Sequence, residues 1–175
     1  MVDSISNANN ANSVIFVVDA MFNEITNWLR IFGYITYYMK DVSDDEILNY
    51  VADLSKKNRV VLITGDKILF ERALNIAEAI YLKKQPVRDM LSKIFCMCGL
   101  KPHLDHPRCS FCNGILKVIN KEKIKSKVPE KVYLNNNIFW VCVNCGHIYW
   151  RGSHWISIEN TYRYVMNYLS HCKTP

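Results

Sequence analysis

The sequence lacks any uninterrupted apolar run of about 18 residues, the length that a membrane-spanning helix needs, so we expect no segment to span a membrane. It also lacks an internal repeat. Residues 1–13 are polar and rich in asparagine, without the basic start and apolar run of a signal peptide, and we interpret them as a disordered leader. Because the seven cysteines accompany no export signal, we expect a reducing, cytoplasmic location.

Four of the cysteines form two CxxC pairs, Cys109 with Cys112 and Cys142 with Cys145, separated by residues 113–141. A two-residue gap lets both thiolates of a tight turn face one ion, and two such turns complete a tetrahedron around zinc. Buried or disulfide-bonded cysteines are the less specific alternative. Because four thiolates leave no open position, the spacing predicts a structural zinc ribbon. For Cys96 and Cys98, which are one residue apart, simple packing fits better than a role as spare ligands.

The first half of the chain alternates short apolar runs with helical patterns. Strands are predicted over 14–18, 35–38, 59–64 and 77–82, and helices over 21–32, after the capping residue Ser43, over 67–75 and from Pro86. This alternation predicts an α/β fold with a parallel sheet and flanking helices, in which ligands bind at the edge formed by the strands' C-terminal ends. A last helix is predicted from Ile158 to about Ser170, capped by Ser157. The predicted parts are a leader (1–13), an α/β domain (14–98), a linker (99–106), a zinc ribbon (107–156) and a C-terminal helix and tail (157–175).

Carboxylates gather at the predicted binding edge. Asp19 ends the first strand, Asp66 follows the third strand, and Asp44 and Asp45 open the second helix. Such hard oxygen ligands suit Mg²⁺ or Mn²⁺, which orient phosphate and water in nucleases, and Thr64 is placed to hold a carboxylate by a hydrogen bond. The alternatives are a helix cap for Asp66 and helix-dipole stabilisation for Asp44 and Asp45. A carboxylate at the end of an apolar strand, as at Asp19, is costly unless it is paired.

The charge is uneven along the chain. Residues 107–151 carry eight Lys or Arg against two Glu, whereas residues 1–106 carry 12 Lys or Arg against 13 Asp or Glu. A basic ribbon on a slightly acidic domain predicts a polyanionic partner, most simply RNA, although a solvated basic loop is the plain alternative. The candidates for RNA contacts are Lys121, Lys123, Lys125, Lys127 and Arg151 for phosphates, and Trp150, with Trp140, Tyr149 and Trp155, for base stacking. Aromatic residues beside a zinc knuckle also commonly form the core of a ribbon.

Seven strings of residues resemble the Mut-seven C-terminal RNase family over about residues 14–156. They are VVDAM at 17–21, WLRIFG at 28–33, DDEIL at 44–48, LITGD at 62–66, RCSFCNG at 108–114, FWVCVNCG at 139–146 and YWRGSHW at 149–155. The resemblance implies a PIN-like nuclease domain fused to a zinc ribbon, with metal-dependent RNA hydrolysis. It implies that Asp19, Asp44 and Asp66 are the acids of the nuclease site. The chain departs from the family at Gly65, where the family usually has Arg.

These observations lead to one principal hypothesis and two alternatives. The principal hypothesis is a metal-dependent ribonuclease with an Mg or Mn site and a structural zinc. The first alternative is a non-catalytic RNA- or ribosome-binding adaptor that acts through the ribbon. The second, a phosphoacceptor domain, fits less well because Ala20 and Met21, rather than a second acid, follow Asp19. The residues leave pairing into a homodimer open.

Overall fold

The computed structural model describes residues 14–173, so the leader predicted for residues 1–13 lies outside it. Within this range, no helix combines the length and apolar character needed to cross a bilayer. The described chain comprises a parallel sheet with helices on both faces, a small antiparallel ribbon and a long final helix.

The parallel sheet has four strands in the order β2-β1-β3-β4. They are β1 (Val14–Asp19), β2 (Ile35–Met39), β3 (Arg59–Thr64) and β4 (Glu78–Tyr81). Both central strands are nearly continuous β-branched and aromatic runs, as expected when helices cover both faces of a sheet. All of their pairings are parallel, so the ends of β1 and β3 reach the same edge. The predicted α/β architecture is therefore confirmed.

Helices follow each strand of this sheet. They are α1 (Asn23–Ile31), which a 3₁₀ turn (Ala20–Phe22) precedes, α2 (Asp44–Ser55), α3 (Lys67–Ala73) and α4 (Val87–Cys98). As predicted, Ser43 and Glu46 form a reciprocal capping box at the start of α2, where the serine hydroxyl accepts from the Glu46 N–H. Two apolar clusters, one on each face of the sheet, form the core.

The ribbon is a three-stranded antiparallel sheet in the order β5-β6-β7. Its strands are β5 (Leu116–Ile119), β6 (Phe139–Cys142) and β7 (Ile148–Trp150). The long excursion between β5 and β6 carries a 3₁₀ turn (Lys121–Ile124) and a short helix, α5 (Glu130–Asn135). Its Ile124 is fully buried, as is Phe139 of β6. The basic segment is thus partly ordered rather than a plain solvated loop.

The final helix, α6 (Ser153–His171), is longer than the predicted one. It begins four residues before Ser157, the residue predicted to cap it, because Gly152 is the N-cap. Val165 of α6 is fully buried in the core cluster that also contains residues of α4. Tyr164 of α6 donates a hydrogen bond to Asp89 of α4 at 2.7 Å. Cys96 of α4 forms a disulfide bond with Cys172, so the expectation that Cys96 only packs is wrong. The helix therefore closes back on the α/β domain.

A buried arginine joins the ribbon to the α/β domain. Arg30 of α1 donates from Nε and Nη2 to the Thr36 carbonyl of β2 at 3.0 and 2.9 Å. Its Nη1 donates to the carbonyls of Ser110 and Phe111, in the first cysteine knuckle, at 2.8 and 3.1 Å. The Asn113 side chain accepts from the Thr36 N–H at 3.2 Å, so the knuckle is also bonded directly to the edge strand β2.

We predict that Arg30→Met destabilises the whole chain by about 3 kcal/mol, because methionine fills much of the space but leaves the buried Thr36 carbonyl and the part-buried Ser110 and Phe111 carbonyls without their donor. Urea unfolding measures this loss. The control is Arg163→Met on α6. The Arg163 guanidinium is largely exposed, and its ion pair with Glu159 is long at 3.9 Å. That change should shift stability by less than about 0.5 kcal/mol. Equal effects of the two substitutions would contradict the role of Arg30.

Candidate functional sites

The acidic edge of the sheet is organised by one threonine. Thr64, at the end of β3, is fully buried, and its hydroxyl donates to Oδ2 of Asp19 at 2.7 Å, as the sequence predicted. The same hydroxyl accepts from the backbone N–H of Asp66 at 3.0 Å. The other oxygen of Asp19 accepts from the N–H of Ala20 at 2.6 Å. Asp19 and the start of the Asp66 segment are thereby held by a single side chain.

The other acids are engaged to different degrees. Asp66 caps α3, since its Oδ1 accepts from the N–H groups of Ile68 and Leu69 at 2.7 and 2.9 Å, which leaves its second oxygen available. Asp45 is paired with Arg72 of α3, so its charge is already balanced. Within residues 14–173, no hydrogen bond or ion pair engages the carboxylate of Asp44. The three principal acids thus each keep an oxygen lone pair for a ligand.

The carboxylates are not drawn into a tight cluster. Among the described residues, the one set of three or more His, Cys, Asp or Glu whose ligand atoms all lie within 4.8 Å of one another is the set of cysteines. Asp19, Asp44 and Asp66 therefore do not form a preassembled cage. Mg²⁺ commonly retains several waters and takes only one or two protein carboxylates directly, so a looser acid set still suits it.

The four cysteine thiols do form a compact cluster. The Sγ atoms of Cys109 and Cys145 are 3.6 Å apart, and those of Cys112 and Cys142 are 3.4 Å apart. A zinc–sulfur bond of about 2.3 Å implies tetrahedral edges of about 3.8 Å, close to these separations. The donor set therefore fits a structural zinc ion, as the spacing predicted.

The thiols in this cluster differ in acidity. Burial opposes ionisation of Cys142, but N–H groups of Cys145 and Asn144 outweigh it and lower the pKa of its thiol to about 7. Burial raises the pKa of the Cys112 thiol to about 12. Four thiolates at neutral pH therefore need a cation among them, which is the condition that zinc meets.

Tyr149 connects the zinc site to the outer surface of the ribbon. Its hydroxyl lies 3.0 Å from the Sγ of Cys109 and 3.3 Å from the hydroxyl of Ser110. Groups that contact metal ligands in this way orient them. The sequence placed Tyr149 among stacking candidates or in the ribbon core, and no pattern in it pointed to the contact with the sulfur.

The residues predicted to contact RNA lie toward one end of the ribbon sheet. Lys123, Lys125 and Lys127 are exposed in the excursion between β5 and β6, whereas Lys121 is half-buried with its ammonium 4.7 Å from the centre of the Tyr133 ring. Arg151 and Trp150 lie at the same end of the ribbon as this excursion, since Phe139 pairs with both Ile119 and Trp150, and they also line a cleft between the ribbon and α1. Trp140 and Tyr149 are paired across β6 and β7 and line that cleft, so neither is sealed inside the ribbon core.

Comparison with known proteins identifies one family. The model of the Mut7-C RNAse domain matches residues 14–162, which include the sheet, the ribbon and the first part of α6. No curated protein and no solved structure matches the chain. The match covers both the acidic edge and the four cysteines.

We predict that Gly114→Ala weakens zinc binding. A Cβ built at Gly114 would lie 2.6 Å from Sγ of Cys142 and 2.9 Å from the side chain of Asn144, so the second knuckle must shift. Competition with a chromogenic chelator should show zinc affinity lower by at least about tenfold, the loss typical when groups around a metal are disturbed.

The control is Gly146→Asn, in the second knuckle. Gly146 has φ +74° and no atom within 4 Å of an added Cβ, and asparagine tolerates this left-handed conformation. Zinc affinity should change little in this variant. If Gly114→Ala bound zinc as tightly as the parent protein, the close approach of Cys142 would not be needed for the site.

Proposed function

The chain belongs to the Mut7-C RNase domain family, and from this premise we propose that it is a metal-dependent ribonuclease that hydrolyses RNA phosphodiesters at the acidic edge of its sheet. The observation that carries the proposal is the pair of hydrogen bonds from Thr64 to the Asp19 carboxylate and from the Asp66 N–H to Thr64. A fully buried side chain that fixes one acid and the backbone of another fits a prepared site better than scattered surface charges.

In this proposal, Asp19, Asp44 and Asp66 hold Mg²⁺ or Mn²⁺, directly or through water. The bound cation would neutralise charge on the phosphate and favour ionisation of the attacking water. Thr64 orients Asp19, and the two N–H groups donated to Oδ1 of Asp66 leave its Oδ2 for the ligand. Asp45 is a weaker candidate because Arg72 already balances its charge.

The ribbon contributes RNA binding in this proposal. Its zinc has four cysteine ligands and no open position, so its role is to fold the ribbon rather than to react. Phosphate contacts are assigned to the exposed lysines of the excursion, together with Lys121 and Arg151. Trp150 is assigned a stacking role.

A non-catalytic adaptor that binds RNA or ribosomes is the second candidate. The observation that favours it is the looseness of the acid set, since the carboxylates of Asp19, Asp44 and Asp66 do not all lie within 4.8 Å of one another. The basic ribbon supports binding in either case. Cleavage, rather than binding, therefore separates the two candidates.

We predict that Asp19→Asn lowers the rate of RNA cleavage by roughly a hundredfold or more, since one charged group of the site is lost without a change of shape. The measurement is cleavage of a pool of single-stranded and structured RNA with added Mn²⁺ or Mg²⁺. RNA binding and thermal stability should be preserved, because the asparagine oxygen still accepts from the Ala20 N–H and its amide nitrogen can donate to the Thr64 hydroxyl.

The control for this variant is Asp53→Asn. Asp53 is an exposed residue of α2 that pairs with Lys56. The Asp53→Asn variant should therefore cleave RNA at the parental rate. A parental rate in Asp19→Asn would eliminate the proposed site. Absence of cleavage by the parent protein with either metal, while RNA is retained, would favour the adaptor.

We also predict that RNA binding weakens steeply as salt rises from about 50 to 200 mM, because each phosphate contact releases condensed counterions. Fluorescence anisotropy with a labelled RNA gives the slope. The double variant Lys123→Gln, Lys125→Gln should make the slope of log affinity against log salt shallower by roughly one to two units, which corresponds to the loss of one or two phosphate contacts. A flat response would remove the basic ribbon as a phosphate-binding surface.

A further inference from the structure

A cleft of about 570 Å³ lies between the α/β domain and the ribbon. Its volume is in the range of small-ligand sites, about 300–1,000 Å³. One wall is a single face of α1, formed by residues at helical spacing: Glu24, Asn27, Trp28 and Ile31. The facing wall is the exposed side of the ribbon sheet with Trp140 and Tyr149, and the start of α6 adds Trp155. The cleft exists only because the ribbon is docked on α1 and β2.

The lining favours a flat, uncharged group. Four indole rings and one phenol ring line the cleft, and such aromatic faces stack on planar rings. The acids Glu24 and Asp105 also line it, and no lysine does. Carboxylates repel a phosphate but accept hydrogen bonds from the N–H groups of a base. The interior therefore suits a nucleobase rather than the phosphate of a nucleotide.

A cation stands beside this aromatic wall. The guanidinium of Arg151 lies 4.6 Å from the centre of the Trp155 ring and 5.9 Å from that of Trp140. Within residues 14–173, Arg151 takes part in no ion pair, and its side chain is exposed. By contrast, Nε of Arg108, the other arginine of the cleft, donates to Asn113. Within the same range, Arg108 is half-buried and keeps only its Nη groups, whereas Arg151 is exposed and keeps all of its donors for a phosphate.

The two ends of the cleft adjoin the other surfaces that are proposed to contact RNA. Trp150 lines the cleft and also a neighbouring depression that contains Lys127 and His147. At the other end, Glu24 lies in the first turn of α1, five residues after Asp19, so this end points toward the acidic edge of the sheet. A polyanion with planar bases matches both the net positive ribbon and the aromatic wall.

We propose that the cleft between α1 and the ribbon binds one unpaired nucleobase of single-stranded RNA, stacked on its indole rings, with the adjoining phosphate held by Arg151. The proposal rests on the RNA-binding part of the proposed function and specifies its substrate as unpaired RNA. A base in a duplex is excluded because its faces are already stacked and it would have to leave the helix to enter.

The test compares RNAs that differ only in their bases. The full-length, zinc-loaded protein is titrated, without added Mg²⁺ or Mn²⁺, into a fluorescein-labelled 12-nucleotide single-stranded RNA. The same backbone with four central abasic residues, and the RNA in duplex form, are the comparison ligands. We expect the abasic RNA and the duplex to bind about tenfold more weakly, since stacking one base on an aromatic side chain typically contributes that much or more.

Variants locate the effect in the cleft. Trp155→Ala should lower the affinity for the intact RNA about tenfold and leave that for the abasic RNA within about twofold, whereas Trp155→Phe should retain most of the affinity. Arg151→Ala should also weaken binding of the intact RNA, and Arg88→Ala is its matched control. The guanidinium of Arg88 lies 4.7 Å from the centre of the Tyr164 ring, in another arginine–aromatic pair outside the cleft. The Arg88→Ala variant should therefore bind the RNA with parental affinity.

The outcomes separate the base-binding proposal from the catalytic proposal. Equal affinity for intact and abasic RNA in the parent protein would overturn the base-binding cleft, and this result does not depend on the folding of any variant. An Arg88→Ala loss equal to that of Arg151→Ala would do the same. Failure of metal-dependent cleavage would overturn the catalytic proposal but leave the cleft standing, because binding is measured without the reaction.

Discussion

The buried guanidinium of Arg30 is the interaction on which the relation between the two parts of the chain depends. It donates to a carbonyl of β2 and to two carbonyls of the first cysteine knuckle. Burial lowers the pKa of Arg30, whereas the nearby sulfurs of Cys109 and Cys112 act in the opposite direction. Zinc bound by four thiolates carries net negative charge, so a loaded ribbon favours the cation that anchors it. Together with the Thr36–Asn113 hydrogen bond, this anchor holds the ribbon beside α1, where the two share a cleft.

The two candidate metal sites use opposite chemistry and are built differently. The cysteines converge within 4.8 Å of one another, which suits a soft-ligand ion that holds a small fold together. The acids are spread along the ends of β1 and β3 and the start of α2, where an oxygen-seeking ion can keep water and meet a phosphate. Rigidity at one site and openness at the other fit a structural role and a proposed catalytic role.

Local patterns predicted much of the architecture. The apolar runs predicted all four strands of the parallel sheet to within one residue at each end, and the Ser43–Glu46 capping box marked the start of α2. The final helix was predicted too short, because Ser157 resembled a cap while Gly152 and the chain after it were free to begin the helix earlier. The bond between Cys96 and Cys172 had no signal either, since 76 residues separate them and only the packing of α6 on α4 brings them together.

The sequence by itself determined which four cysteines form the candidate zinc site, the alternation of strands and helices, and which acids lie at or just after the strand ends, because each of these depends on residue spacing along a few neighbouring positions. Only the tertiary structure decided that Thr64 touches Asp19 and that Tyr149 touches Cys109. It also decided that the aromatic residues of the ribbon face α1 across a cleft. These contacts join distant segments, and their geometry follows from how whole elements pack, which the period of a local pattern does not encode.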